Sequence, residues 1–82
     1  MATILFFAQL REQLQCEKIS VELANPITLL ELRDDILQQY PQWKKFLSNE
    51  KLLFAVNQKI SKLSQVVNSN DEIAFFPPVT GG

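Results

Sequence analysis

The sequence predicts a small α+β domain, and three observations lead to that class. Short runs of β-branched and aromatic residues, bounded by turn residues, lie near both ends of the chain. Between them, residues 28–40 repeat their apolar side chains at helical spacing. The 82 residues are 46% apolar and carry a formal net charge of −1, which is typical of one folded domain and argues against disorder.

The N-terminal part of the chain predicts two paired strands. Residues 3–8 (TILFFA) are apolar at both alternating sets of positions, so we expect a strand with both faces covered. Residues 10–14 are compatible with one helical turn. Residues 18–23 (KISVEL) alternate polar and apolar side chains, which indicates a half-buried strand paired antiparallel with the first. Pro26 ends this strand because proline has no N–H to donate to a ladder.

The main helix is predicted over residues 28–40. Thr28 and Glu31 have the spacing of a capping box, in which each side chain accepts a hydrogen bond from the other residue's N–H. Pro41 ends the helix because it cannot continue the hydrogen-bonding pattern. A further short helical turn, with its aromatic side buried, is expected over residues 43–47.

The C-terminal half predicts two more strands, at residues 52–56 and 72–76. A turn is expected at Asn57-Gln58, and residues 63–67 are read as irregular or as a short strand. Residues 68–71 (NSND) indicate a turn, since Asn and Asp bond their own backbone and tolerate left-handed conformations.

The order strand, strand, helix, strand, strand predicts a β-grasp arrangement. We expect a mixed sheet of four to five strands with one main helix on one face. Pro77-Pro78 ends the last strand. Residues 1–78 are assigned to the domain, and residues 79–82 to a flexible C-terminal tail.

Composition excludes several classes of function. One cysteine and no histidine cannot form an internal disulfide, a structural zinc site, an iron–sulfur cluster or a nucleophile–histidine dyad, so no metal is expected. Eight Lys and Arg against nine Asp and Glu, without a basic cluster, disfavour nucleic acid. No apolar run approaches the roughly 20 residues of a membrane span, and no signal peptide is visible. We therefore expect a cytoplasmic protein with neither a nucleic-acid nor a membrane partner.

No side-chain active site is predicted. Asp34-Asp35 on the helix, Asp71-Glu72 in a turn and Lys44-Lys45 are interpreted as solvated surface charges. Cys16 is expected to be an ordinary thiol. The remaining candidate is the backbone at the C-terminus.

Both glycines of the chain lie in the predicted tail. Average usage near 7% would give about six glycines spread through the turns, but the only two are Gly81 and Gly82. Without a Cβ this pair makes a thin thread that can enter a narrow channel, and four extended residues reach about 13–14 Å. A Gly82 carboxylate, activated as a mixed anhydride with AMP, could then carry a group. On physical grounds alone, a frayed terminus that happens to end in two glycines explains the pattern equally well.

Two aromatic pairs indicate a partner surface. Adjacent strand residues point to opposite faces, so one member of Phe6-Phe7 and one of Phe75-Phe76 should face away from the helix. An exposed aromatic patch on a small protein usually marks an interface. The alternative is that the turn at residues 43–47, or a loop, covers the patch.

Four segments together resemble a known family, and they are residues 5–12 (LFFAQLRE), 28–33 (TLLELR), 55–57 (AVN) and 71–82 (DEIAFFPPVTGG). In that order they are similar to the small subunits of molybdopterin synthase, which are ubiquitin-like sulfur carriers. The final FFPPVTGG is the most specific part, since Gly-Gly alone is shared with ubiquitin-like modifiers and thiamine-pathway carriers. Asn70 stands where the family commonly has Gly, and we expect it to take the left-handed turn position.

The resemblance implies a cycle of activation and sulfur transfer. An ATP-consuming activating enzyme adenylates Gly82, and a sulfur donor converts it to a thiocarboxylate, with no cofactor bound permanently. The large subunit, in a heterotetramer of two small and two large subunits, then uses the sulfur to convert cyclic pyranopterin monophosphate to molybdopterin. Side chains that promote the transfer belong to the large subunit.

Site residues follow from the same resemblance. Gly82 carries the sulfur, and Gly81 lets the tail thread. The residues implied at the partner surface are Phe7, Arg11, Phe75, Pro77, Pro78, Val79 and Thr80. Two alternatives stay open: a thiamine-pathway carrier, against which the Pro-Pro-Val-Thr segment argues, and a non-catalytic ubiquitin-like module or a tag conjugated to lysines.

Overall fold

The structure, a computed structural model, describes residues 1–77. Its strands are β1 (Ala2–Phe6), β2 (Lys18–Val21), β3 (Ile27–Thr28), β4 (Leu53–Val56), β5 (Lys59–Ser61), β6 (Val66–Val67) and β7 (Glu72–Phe76). Its helices are α1 (Ala8–Leu14), α2 (Leu29–Gln39) and α3 (Lys44–Leu47), with a 3₁₀ turn at Pro41–Trp43. The boundary predicted between residues 1–78 and the tail at 79–82 lies outside the described residues.

Five strands form one mixed sheet in the order β2-β1-β7-β4-β5. The two chain-terminal strands β1 and β7 are parallel, with Ile4 opposite Ile73 and Phe6 opposite Phe75. The other neighbours are antiparallel, and β3 pairs with β6 in a separate two-stranded ladder. The predicted β-grasp arrangement is confirmed, with five strands in its main sheet.

One face of the sheet, the inner face, packs against the helices. Ile4, Phe6, Ile73 and Phe75 share a core cluster with residues of all three helices. The cluster members from α1, α2 and α3 are Leu10, Leu14, Leu29, Leu32, Ile36 and Leu47. The segment after α2 adds Trp43, whose ring meets Phe6 edge-on at 5.4 Å. The predicted short helical turn therefore buries its aromatic side against the inner face and does not cover the opposite face.

The start of α2 has the predicted capping box. Glu31 N–H donates to Thr28 Oγ1 at 3.2 Å, and Thr28 N–H donates to Glu31 Oε1 at 3.0 Å. The hydrogen bonds from the Thr28 backbone and side chain hold the pKa of Glu31 below its usual value of 4.5. The predicted helix over residues 28–40 corresponds to Leu29–Gln39.

Left-handed backbone conformations occur at non-glycine residues. Asn57 and Gln58 have φ of 51° and 71° in the tight turn between β4 and β5, which is the turn type that suits a β-hairpin. Gln15 has φ of 52° where α1 ends. Asn70 is absent from the positive-φ residues of the described chain, so its predicted left-handed position is wrong. Its N–H instead donates to Asn68 Oδ1 at 3.0 Å, which closes the turn with a side chain.

Within residues 1–77, no helix is both long and apolar enough to cross a membrane.

Candidate functional site: the outer face of the sheet and the root of the tail

The sheet face opposite the helices, here called the outer face, carries two apolar rows. In one row, Leu5 lies opposite Ala74, Ala74 opposite Ala55, and Ala55 opposite Ile60. In the other row, Leu53 lies opposite Phe76, whose ring stacks on Phe7 at 5.1 Å and 14°. No described helix shields these rows, because α1, α2 and α3 all contribute to the core on the inner face. The outer face is therefore an apolar surface on the side of the sheet away from the core.

Exposure along the outer face rises toward its edges. Ala55 and Ala74 are buried between larger neighbours, whereas Phe7 is 38% exposed and Ile60 70% exposed. An isolated exposed apolar residue is normal on a protein surface, but a contiguous patch is not. The patch expected from the two aromatic pairs is thus present, and its exposed members have the size and position of interface residues.

The chain places Phe7 on the outer face by extending the β1–β7 ladder one residue past β1. Phe7 is extended, with φ −120° and ψ 158°, and its N–H donates to the carbonyl of Phe75 at 3.2 Å. Ala8 follows with φ of 54°, and α1 begins there. This sharp change of direction leaves the Phe7 ring stacked on Phe76 while the chain crosses over to the helical layer.

Phe75 does not lie at the surface. It is fully buried, and its ring meets Phe6 at 5.7 Å and Phe54 at 5.0 Å, both edge-on. The resemblance implies Phe75 at the partner surface, but in the described domain core aromatics enclose its ring, and its side chain is not exposed. Phe76, one residue on, occupies the outer face and is half-buried.

The remaining predicted contacts are divided between the described and undescribed parts of the chain. Arg11 is exposed on α1, and Pro77 is half-buried where β7 ends. The other predicted site residues, Pro78, Val79, Thr80, Gly81 and Gly82, lie outside the described residues. Pro77 is thus the root of the tail, and it directly follows Phe76 on the outer face.

A hydrogen-bonded turn fixes the opposite end of β7. Asp71 accepts from the side chain of Asn57 at 2.9 Å and from the N–H of Asn68 at 2.8 Å. The Asn57 side chain also accepts from the N–H of Glu72 at 3.0 Å. These bonds tie the β4–β5 turn to the start of β7, so Asp71 has a structural role here. The predicted solvated charge at this position is instead a hydrogen-bond acceptor for two elements.

The described residues offer little side-chain chemistry. Cys16 is half-buried, and its thiol donates to the carbonyl of Lys18 at 3.5 Å. Among residues 1–77, no group of three or more His, Cys, Asp or Glu side chains could hold a metal ion. This part of the chain does present the exposed apolar residues of the outer face, close to Pro77.

Sequence reasoning missed Leu53 and Ile60, and it placed one of Phe75 and Phe76 on the outer face but named Phe75 as the contact. The signal was available for Phe76, because the period of two counted from a buried Phe75 places it on the opposite side. Ile60 lies in a short edge strand with polar neighbours, and only its register with Ala55 identifies its face.

Comparison with known proteins places the chain in a family. The ThiS family model matches residues 4–82. The molybdopterin synthase sulfur carrier subunit of Haemophilus influenzae is 43% identical over 82 residues, which are 100% of both chains. That of Escherichia coli is 42% identical over 82 residues, also 100% of both, and that of Mycobacterium tuberculosis is 35% identical, covering 96% of this chain and 94% of its own.

Solved structures agree on the fold. SAMP1 from Haloferax volcanii superposes with a TM-score of 0.81 over 99% of this chain and 98% of its own, at 22% identity. A chain of the protein–protein complex of subunits 1 and 2 of molybdopterin-converting factor from Helicobacter pylori 26695 is similar, with a TM-score of 0.67, 28% identity and coverage of 99% of this chain and 97% of its own. With its full-length similarity to these sulfur carrier subunits and its β-grasp fold, the chain belongs to the ThiS family.

Proposed function

We propose that this protein is the sulfur carrier subunit of a molybdopterin synthase and that its working group is the carboxylate of Gly82. The observation that carries the proposal is the end-to-end similarity to sulfur carrier subunits, which includes the whole FFPPVTGG segment. The structure supports it by placing an exposed apolar surface beside the root of the tail. Such a surface would hold a partner while the tail reaches into that partner's pocket.

Activation is required because a carboxylate is a poor electrophile. A free α-carboxyl group has a pKa of about 3.3–3.7 and is ionised at neutral pH. In the proposed first step, a Gly82 carboxylate oxygen attacks the α-phosphorus of ATP, and pyrophosphate leaves. A sulfur nucleophile of the hydrosulfide class then attacks the acyl carbon, AMP leaves with the oxygen, and a thiocarboxylate remains.

Sulfur transfer follows on the large subunit. The thiocarboxylate sulfur attacks an oxygen-bearing carbon of cyclic pyranopterin monophosphate, so that a carbon–sulfur bond forms while the carbon–oxygen bond breaks and the oxygen is the leaving group. Water then attacks the acyl carbon and breaks its bond to that sulfur, which restores the Gly82 carboxylate. Two such transfers supply the two sulfurs of the dithiolene. This chain contributes the acyl group and the docking surface, and the side chains that promote the transfer come from the partner.

The large subunit is the proposed partner on the outer face. The Helicobacter pylori relative is described in a protein–protein complex of subunits 1 and 2 of molybdopterin-converting factor. In this chain, Phe7, Leu53 and Ile60 are exposed apolar residues of the outer face, and the half-buried Phe76 stacks on Phe7 beside them. The activating enzyme must reach the same carboxylate, so we propose that it uses the same face and that the two partners bind in turn.

Intact-mass measurement tests the proposal. The protein is incubated with ATP, the cognate activating enzyme and a sulfide source, and we expect the mass change of one oxygen-to-sulfur exchange, located by fragmentation at Gly82. A variant lacking Gly82 is the control. It should gain no sulfur and should retain the melting temperature of the unaltered protein.

Each alternative predicts a different product. A non-catalytic module forms neither adenylate nor thiocarboxylate, and that result would refute the proposal. A lysine-conjugated tag appears as a higher-mass species joined to lysine. A thiamine-pathway carrier forms the thiocarboxylate but does not convert cyclic pyranopterin monophosphate when the large subunit is added.

A further inference from the structure

A groove of about 240 Å³ lies between α1, α3 and the end of β7, apart from the outer face. Gln9 and Gln13 of α1 line it, as do Lys45 of α3 and Asn49 just beyond α3. Pro77, the root of the tail, also lines it. The groove therefore includes the last described residue, which directly precedes residues 78–82 in the sequence.

The groove combines apolar and hydrogen-bonding groups. Leu10 and Leu52 are buried residues that contribute to its lining, and Phe46 is half-buried beside them. Three primary amides and one ammonium group supply the polar lining. A primary amide donates and accepts hydrogen bonds, whereas an ammonium group only donates. The lining thus suits a segment that has one apolar side chain and hydrogen-bonding groups around it.

Charge decides which kind of segment the groove favours. The lining residues include Lys45 and no Asp or Glu. The ammonium group of Lys45 lies 5.2 Å from the centroid of the Phe46 ring, and both residues line the groove. An acidic side chain or a carboxylate is therefore the complementary ligand group.

The position of Pro77 indicates which molecule would supply the segment that occupies the groove. A partner that encloses the tail must surround the chain just beyond Pro77, and Pro77 lines the groove. We propose that the groove receives an acidic segment, with one apolar side chain, of the same partner that takes the tail. This inference rests on the proposed function, because it assumes that a partner accepts the tail.

Isosteric charge substitutions test the proposal. Gln13→Glu places a carboxylate in the groove with almost no change of shape. Gln38→Glu, at an exposed position of α2 outside the groove lining, changes the net charge equally and is the matched control. The probe is the second subunit of molybdopterin-converting factor from the same source, titrated by calorimetry against the full chain. We expect Q13E to weaken binding about five- to tenfold and Q38E to change it less than twofold. The reason is that a carboxylate in the groove would repel the partner's acidic segment at close range, whereas one on α2 stays in water.

A second pair of variants removes attraction instead of adding repulsion. Lys45→Gln should weaken binding, whereas Lys44→Gln, at the preceding exposed residue of the same helix, should not. In the unaltered protein, binding of the second subunit should also shift the side-chain amide resonances of Gln9 and Gln13. Equal binding by Q13E and Q38E, or unshifted amide resonances, would overturn the inference and leave the proposed function intact.

Two further outcomes are informative. If removal of residues 78–82 shifts the Gln9 and Gln13 amides in the free protein, the groove belongs to the chain's own tail, and the partner segment is excluded. If the unaltered protein does not bind the second subunit at all, the proposed function fails together with this inference.

Discussion

Phe75 and Phe76 are consecutive residues of β7, yet we expect their truncation to affect different properties of the protein. Phe75 lies in the core between Phe6 and Phe54, whereas Phe76 lies on the outer face against Phe7. Phe75→Ala should therefore reduce folding stability, and Phe76→Ala should reduce partner binding. The pair tests the assignment of the outer face in a single comparison.

The magnitudes follow from burial. Truncating a buried phenylalanine to alanine costs about 3–5 kcal/mol, and Phe75 is fully buried with two edge-on ring contacts. A domain of this size has a free energy of unfolding of roughly 4–12 kcal/mol at 0.05–0.15 kcal/mol per residue. Phe76 is half-buried and loses chiefly its stacking with Phe7, which is worth about 0.5–1.5 kcal/mol.

Urea unfolding and calorimetric binding measure the two effects. With a slope near 1 kcal/mol per molar urea, F75A should lower the unfolding midpoint by about 3 M or more, while F76A lowers it by about 1 M. If Phe76 is central to the interface, F76A should weaken binding of the large subunit about thirtyfold, as for an interface hot spot. Phe75→Leu is the control that keeps the fold, and it should bind with nearly unchanged affinity.

The reverse result would refute this reasoning. If folded F75L binds the large subunit weakly while F76A binds it normally, the partner contacts the Phe75 position and the outer face is not the interface. If F76A destabilises the domain as much as F75A, the outer face is covered in solution and the stacked pair belongs to a second core.

Four further predictions concern local structure. Gln15→Gly should raise stability by about 1 kcal/mol, because Gln15 holds a left-handed φ that costs a non-glycine residue energy, and thermal unfolding should show a melting temperature about 4–8 °C higher. Thr28→Ala should cost about 1 kcal/mol through loss of the helix cap. Because the pKa of Glu31 is lowered on folding, its contribution is complete above its usual value of 4.5 and is lost as pH falls through the folded value. Glu31→Gln should therefore make the free energy of unfolding fall less steeply as the pH is lowered below 4.5. An unchanged pH dependence would contradict the role of the Glu31 carboxylate in the cap. Asn57→Gly keeps the left-handed turn and removes the bonds to Asp71 and Glu72, so a loss of about 1–2 kcal/mol would isolate the side chain's contribution.

Local signals made most elements predictable. The capping box at Thr28 and Glu31 located the start of α2, because it depends on residues three positions apart. The alternation of polar and apolar side chains in residues 18–23 is also a local signal, and it predicts β2 and its antiparallel pairing with β1. The sequence predicts only one helical turn where the structure has the seven-residue helix α1. Its apolar pattern is weak because only two of its residues, Leu10 and Leu14, are buried in the core.

The outer face depends on contacts that are distant in sequence. Ile60 belongs to it only because β5 pairs with β4 in a register that sets Ile60 opposite Ala55. The groove likewise brings together Gln13 of α1 and Lys45 of α3, two helices that are distant in sequence. The prediction of a left-handed conformation at Asn70 was wrong for a different reason. A side-chain hydrogen bond to Asn68 closes it without a positive φ, and composition does not distinguish the two solutions.

The position of β7 determines where Pro77, the last described residue, lies relative to the outer face. β7 lies at the centre of the sheet, hydrogen-bonded to β1 on one side and to β4 on the other. Its beginning is tied to the β4–β5 turn through Asn57 and Asp71. Its end is held by the Phe7 N–H and by the buried ring of Phe75. Pro77 is therefore fixed relative to the outer face. In the proposed function, a partner docked on Phe7 and Phe76 would receive the residues after Pro77 from a defined point, and the binding energy of the outer face would position the Gly82 acyl group.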